Sequence, residues 1–184
     1  MLNFRRAIPD DAPAIAKVHI DSWQAAYRGI LPEDKLNGLD HIRLTGSFRK
    51  SISLGTEDIF VAEKGGHVAG FLALIGCHDE ENDRDPATGL CAIYLAPEYW
   101  RKGIGRLLYL EGETILQSRG CTAVAFWVFA DNARARRFYE AMGFTVDGET
   151  MALNMGVPVK AVRYRKDILY NRAPDRNSIG KTMT

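Results

Sequence analysis

Cysteine is scarce and shows no pairing pattern. Cys77, Cys91 and Cys121 form an odd set without a C-x-x-C spacing. This argues against a disulfide framework, and the expectation is buried free thiols in a reducing compartment. The histidines, His19, His41, His67 and His78, show no H-E-x-x-H or comparable ligand spacing, so no metal is expected. An excess of one charge sign is also missing. The net charge of +1 provides no basic field for nucleic acid or for an acidic membrane surface. No apolar run is long enough to span a bilayer. The opening MLNFRRAIPDD lacks the apolar stretch of a signal peptide. A cytoplasmic protein without nucleic-acid or membrane partners is expected.

What is present is an ordinary globular composition over 184 residues, a length that suggests one domain with a good core. Residues 1–170 are expected to form that domain. The polar tail NRAPDRNSIGKTMT is expected to be disordered over residues 171–184. Residues 2–6 read as a first strand. A helix follows, with Asp10 or Asp11 as its cap, Pro13 in its first turn, and Ile15, Val18, Ser22 and Ala26 at helical spacing. Gly29 stops it and Pro32 forbids its resumption. Residues 33–53 read as one weak helix. DIFVAEK and HVAGFLALIGC flank Gly65-Gly66, which is a hairpin signal. The acidic stretch HDEENDRDPATG (residues 78–89) reads as a loop and LCAIYLA (90–96) as the next strand. Ile104, Leu107, Leu108 and Ile115 then mark a helix closed by Gly120. AVAFWVF reads as a strand buried on both faces. Asp131 or Asn132 caps a last helix ended by Gly143, and residues 144–150 and 159–168 read as closing strands. Hairpins first and a β-α-β-α-β core later describe an α/β layer fold with a mixed sheet.

The segment PEYWRKGIGRLL leaves a strand and at once sets Gly103 and Gly105 among Arg101, Lys102 and Arg106. The first N–H groups of a helix have no intrahelical partner, and the helix dipole adds positive potential there. Glycines let the backbone approach an anion, and arginine supplies forked donors. The segment reads as a pyrophosphate cradle; a tight turn carrying surface bases reads almost as well from this stretch alone. A Walker loop is absent. A dinucleotide-binding fold is also absent, because Leu108 stands where its third glycine belongs.

NARARRFYEAMGF, one strand further on, resolves the choice. Together the two blocks resemble the GNAT superfamily of N-acetyltransferases. The family's Gln/Arg-x-x-Gly-x-Gly/Ala overlays residues 100–105, with Trp100 in place of Gln or Arg. Its Asn-x-x-Ala-x-x-Phe-Tyr-x-x-x-Gly-Phe matches Asn132, Ala135, Phe138, Tyr139, Gly143 and Phe144. SWQAAYRGILP also looks like the substrate-side helices of one large subgroup. The resemblance spans most of residues 2–168. It implies a mixed, mostly antiparallel sheet of six to seven strands with flanking helices, in which two parallel strands splay apart. Acetyl-CoA then lies in the gap, with Ile93, Tyr94 and Leu95 along its pantetheine. Arg101, Lys102, Gly103, Ile104, Gly105 and Arg106 would hold its pyrophosphate. Asn132 would sit near the pantetheine arm and Arg136 near the adenosine end. Relatives are often dimers, so a homodimer is one assembly the resemblance implies.

The implied reaction moves an acetyl group directly from coenzyme A to a primary amine of a small molecule or amino acid. A protein N-terminus or lysine is an alternative acceptor, and a non-catalytic acyl-CoA-binding module is an alternative function. An alkyl amine has a pKa near 10.4, so roughly one molecule in a thousand is nucleophilic at pH 7. The leaving thiol, with a pKa of about 8.5, needs a proton donor, and Tyr139 takes that role by resemblance. An aromatic anchor is the other reading of Tyr139. Many relatives carry a glutamate near the start of the strand before the phosphate motif; here Gly89 or Leu90 occupies that neighbourhood. The base is therefore open among His78, Glu80, Glu81, Asp83 and Asp85, or a water chain ending on Tyr27. Trp23 and Tyr27 are candidates for the acceptor wall, and core packing explains them equally well.

Overall fold

The computed structural model describes residues 1–75 and 88–168. Strand β1 (Leu2–Arg6) leads through a 3-10 turn into helix α1 (Ala12–Tyr27). Short helix α2 (Glu33–Asn37) and helix α3 (His41–Leu54) follow, then β2 (Asp58–Lys64) and β3 (His67–Ile75). Next come β4 (Thr88–Leu95), a 3-10 turn (Pro97–Tyr99), α4 (Ile104–Ser118), β5 (Ala123–Phe129) and α5 (Ala133–Ala141). The hairpin of β6 (Thr145–Asn154) and β7 (Pro158–Asp167) closes the described chain.

The strands form one seven-stranded sheet in the order β1-β2-β3-β4-β5-β7-β6. Only β4 and β5 run parallel; every other neighbouring pair among the described residues is antiparallel. This is the expected mixed sheet at the upper end of the expected strand count. The parallel pairing is short, joining residues 88–90 to 123–125. Beyond it the two strands diverge.

Strand alternation sorts the core into two layers. Leu72 and Leu74 of β3 join Ile104, Leu108 and Leu116 of α4 on one face. Phe71 and Ala73 join Ile15 and Val18 of α1 and Phe48 of α3 on the other. Gly65 and Gly66 both take positive φ, 60° and 79°, in a two-residue turn of the type that matches strand twist.

Several local expectations change. Residues 33–53 are two helices rather than one. Their break follows from Asp40, whose carboxylate accepts the N–H groups of Ile42 (2.8 Å) and Arg43 (3.1 Å) and so starts α3 afresh. Asp11 does not cap α1 with its side chain. Its carboxylate instead takes Arg5 in a two-pronged contact (2.7 and 2.8 Å) and accepts the Ile8 N–H (2.8 Å), tying β1 to the start of α1. Thr88 and Gly89 belong to β4 rather than to the loop. The rest of that acidic loop, Cys77, and the proposed tail lie outside the described residues.

Candidate active site

The turn after β4 leaves helix amides open beside basic side chains. Gly103 is the N-cap of α4 with φ 80°, and no side chain caps that helix. The ends of α3 and α5 are treated differently: Asp40 caps the first, and the Asn132 side chain accepts the Ala135 N–H at 3.1 Å in the second. The first-turn amides of α4 are thus left without a side-chain acceptor, with the dipole's positive end beside them. The two glycines serve different ends. Gly103 is required by its left-handed backbone, since an added Cβ would meet nothing within 4 Å. Gly105 is required by close packing: a Cβ there would lie 3.1 Å from Leu95 Cδ1 and 3.4 Å from the Phe138 ring. Arg101 is the one non-glycine among the described residues at positive φ (60°), a conformation that costs a side chain about 1–2 kcal/mol.

A cavity of about 1310 Å³ opens from this turn and passes through the sheet where β4 and β5 part. Residues 92–95 form one edge and residues 126–128 the other. On the α4/α5 side its walls include Ile93, Leu95, Phe126, Val128 and Tyr139. On the α1 side Ser22, Ala26, Tyr27, Tyr94 and Trp127 line it. One hole therefore joins the Gly103 turn and Tyr139 to a chamber on the opposite sheet face.

Of the residues expected at the cofactor, Ile93, Tyr94, Leu95, Arg101, Gly103 and Gly105 line this cavity. Arg106 and Asn132 do so as well. Three expected contacts lie elsewhere. Ile104 is buried in the core, so only its backbone faces the turn. The Lys102 ammonium stands 5.8 Å from the Tyr99 ring centroid, and its side chain is off the cavity wall. Arg136 turns toward the β7 side, where it donates to the Tyr164 hydroxyl (3.0 Å) and the Ala130 carbonyl (3.2 Å). In its place Arg134 and Arg137 reach the cavity. Helical spacing carries that signal: residues 134, 137 and 141 share a stripe with Phe138, whereas 136 lies round the helix.

Tyr139 is 8% exposed, with its ring 3.9 Å from that of Phe126, centroid to centroid. Burial pushes the Tyr27 phenol up to about 12. It therefore stays protonated at neutral pH. Burial likewise raises the Tyr94 phenol. Trp23 stands behind the wall rather than in it: its ring meets Tyr27 edge-on at 4.9 Å and His19 at 5.4 Å. Gly89 faces α4, where an added Cβ would fall 2.7 Å from Leu116 Cδ2 and 3.3 Å from Cys121 Sγ. The strand position open to the chamber is Ala92. No carboxylate lines the cavity among the described residues, and its charges are the guanidiniums of Arg101, Arg106, Arg134 and Arg137.

Residues 20–144 match the model of the Acetyltransferase (GNAT) family. The chain is 37% identical over 142 residues to a Bacillus subtilis (strain 168) protein named Uncharacterized N-acetyltransferase YuaI, covering 77% of this chain and 79% of that one. It is 32% identical over 178 residues to a Mycobacterium tuberculosis protein named Probable N-acetyltransferase Rv2775, covering 94% and 96%. Its fold is similar to that of the PaiA N-acetyltransferase from Thermoplasma acidophilum, solved in complex with coenzyme A, with a TM-score of 0.74 at 21% identity over 91% of this chain and 99% of that one. The split sheet, the matched signature and this shared identity along most of its length agree: the chain belongs to the GNAT family of acetyltransferases.

Proposed function

We propose that this acetyltransferase moves the acetyl group of acetyl-CoA directly to a primary amine of a small molecule or amino acid. The observation that carries the reading is the uncapped start of α4, set among guanidiniums at one end of a cavity that crosses the sheet. The residues fit the co-substrate. The α4 amides, Arg101 and Arg106 suit a diphosphate. The parted edges of β4 and β5 offer strand backbone to the amide-bearing pantetheine arm. Tyr139 stands on the same sheet face as the cradle and is the donor for the departing sulfur.

The acceptor amine enters from the α1 side, past Ser22 and Tyr27. Its nitrogen attacks the thioester carbonyl, the C–N bond forms, and the C–S bond breaks as the sulfur takes the Tyr139 proton, which solvent then returns to the phenolate. The amine must arrive neutral, and its surplus proton leaves through water hydrogen-bonded to the Ser22 and Tyr27 hydroxyls. A cavity wall free of carboxylates among the described residues suits an acceptor whose reacting end is uncharged and flanked by aromatic surface.

Thiol release from acetyl-CoA across a panel of amines, amino acids and peptides tests this. Release that requires a small amine, with the N-acetyl product found by mass spectrometry, is expected. Coenzyme A binding without release for every acceptor would overturn the catalytic reading.

A further inference from the structure

Trp100 holds the position at which the phosphate motif carries Gln or Arg, and it makes two contacts, the second of which uses its aromatic face. Its indole Nε1 donates to the Leu95 carbonyl at 2.9 Å, fastening the turn to the end of β4. Its ring face carries the guanidinium carbon of Arg134 at 4.1 Å from the centroid. Arg134 sits in the first turn of α5, so the stack joins that helix to the residue just before the left-handed Arg101. Arg134 also lines the cavity.

Its neighbour Arg136 is held away by bonds from Nε to the Tyr164 hydroxyl and from Nη1 to the Ala130 carbonyl. Arg134 has no ion pair with a described carboxylate. Asp21 and Glu98 line a shallower groove of about 490 Å³ on its other side, but Asp21 is already paired with Lys17. A long, rotamer-rich side chain is thus pre-ordered on an aromatic platform, beside a turn that lacks its usual polar residue. Stacking leaves the in-plane N–H fork of a guanidinium free to meet oxygens.

We propose that Trp100 is a positioning residue that holds the Arg134 guanidinium beside the α4 cradle as a further donor to the coenzyme diphosphate, replacing the side chain that the motif has lost here. This rests on the coenzyme A reading above. The cost of ordering Arg134 is met in the folded protein rather than at binding, which favours affinity. The Trp100–Leu95 bond keeps the platform in register with Arg101 and Gly103.

Calorimetric affinity for coenzyme A and for pantetheine, which lacks the diphosphate, separates the outcomes. Arg134 is exposed, so Arg134→Ala removes the contact without opening the core. It should weaken coenzyme A by ~10–100-fold, the range of a hydrogen bond to a charged group, and leave pantetheine unchanged. Trp100→Ala should show the same selective loss, and the double variant should be no weaker than the poorer single one. Trp100→Phe retains a ring face and should recover part of the affinity, which a merely structural loop residue would not show. Additive losses, equal loss for pantetheine, or unchanged coenzyme A affinity in Arg134→Ala would overturn the proposal while leaving the cradle standing. Wild-type protein that binds no coenzyme A would overturn the cradle as well.

Discussion

The rings of Tyr139 and Phe126 lie 3.9 Å apart, centroid to centroid and tilted by 38°, on the sheet face opposite the chamber walled by Tyr27. The phenol is held by ring contacts, with Phe144 at 5.9 Å and Phe138 at 5.0 Å. Tyr139→Phe keeps all of this packing and removes only the hydroxyl. Turnover should fall by ~10²-fold or more, the usual worth of general-acid help, with coenzyme A affinity nearly unchanged. An unaltered rate, measured where chemistry limits turnover, would take Tyr139 out of the acid role.

The two glycines of the phosphate turn should fail in different ways. Gly103→Glu places a carboxylate and a strained backbone in the cradle and should cost at least ~100-fold in coenzyme A affinity, about 2.7 kcal/mol. Gly105→Ala leaves the charge alone but drives a methyl to 3.1 Å from Leu95, narrowing the channel. It should weaken pantetheine as well as coenzyme A. Calorimetry on both ligands checks the contrast, and a Gly105→Ala loss confined to coenzyme A would contradict the packing argument.

His19 should make stability depend on pH. Both ring nitrogens are buried without a hydrogen-bond partner, and burial lowers the ring's pKa from 6.5 to about 4. The native ring is neutral, so the unfolded chain binds the proton more tightly. The full contribution is present above pH 6.5 and is lost progressively as pH falls toward 4. The loss is at most roughly 3 kcal/mol. His19→Phe, which suits the ring cluster of Trp23, Phe48, Phe71 and Tyr94, should flatten that window when urea unfolding is followed against pH. Identical pH slopes for the two proteins would refute the assignment.

Restoring the family's strand glutamate at Gly89 should fail. Its side-chain direction leads into Leu116 and Cys121 rather than into the chamber. Gly89→Glu combines overpacking with a buried charge and should destabilise by about 3 kcal/mol or more. Ala92→Glu faces the cavity and should fold. Thermal melts of the pair decide it, and a stable Gly89→Glu protein would show that β4 is turned the other way.

The position of Gly103 and the start of α4 were legible because backbone chemistry is local: a glycine pair, adjoining bases and a helical period lie within a dozen residues. A cap at Asp131 or Asn132 was legible for the same reason, and the structure gives it to Asn132. The split of residues 33–53 was missed because their apolar spacing continues past a break made by one carboxylate, that of Asp40, bonding to two backbone amides. Helical spacing sets Arg136 apart from the stripe of Arg134 and Phe138, but which stripe of ARARRF faces the cavity is decided by packing. Tyr164, 28 residues further along the chain, draws Arg136 away.

By itself the sequence determined the family, the strand–turn–helix with its glycine pair set among bases, and the aromatic helix that carries Tyr139, since each depends on residues close together in the chain. Tertiary structure alone decided that the parting of β4 and β5 opens a passage through the sheet, that Gly89 faces the core while Ala92 faces the chamber, and that Trp100 carries Arg134. Those relations join strands and helices far apart in sequence. They depend on strand parity and helix rotation, which are set only when both sheet faces are packed at once.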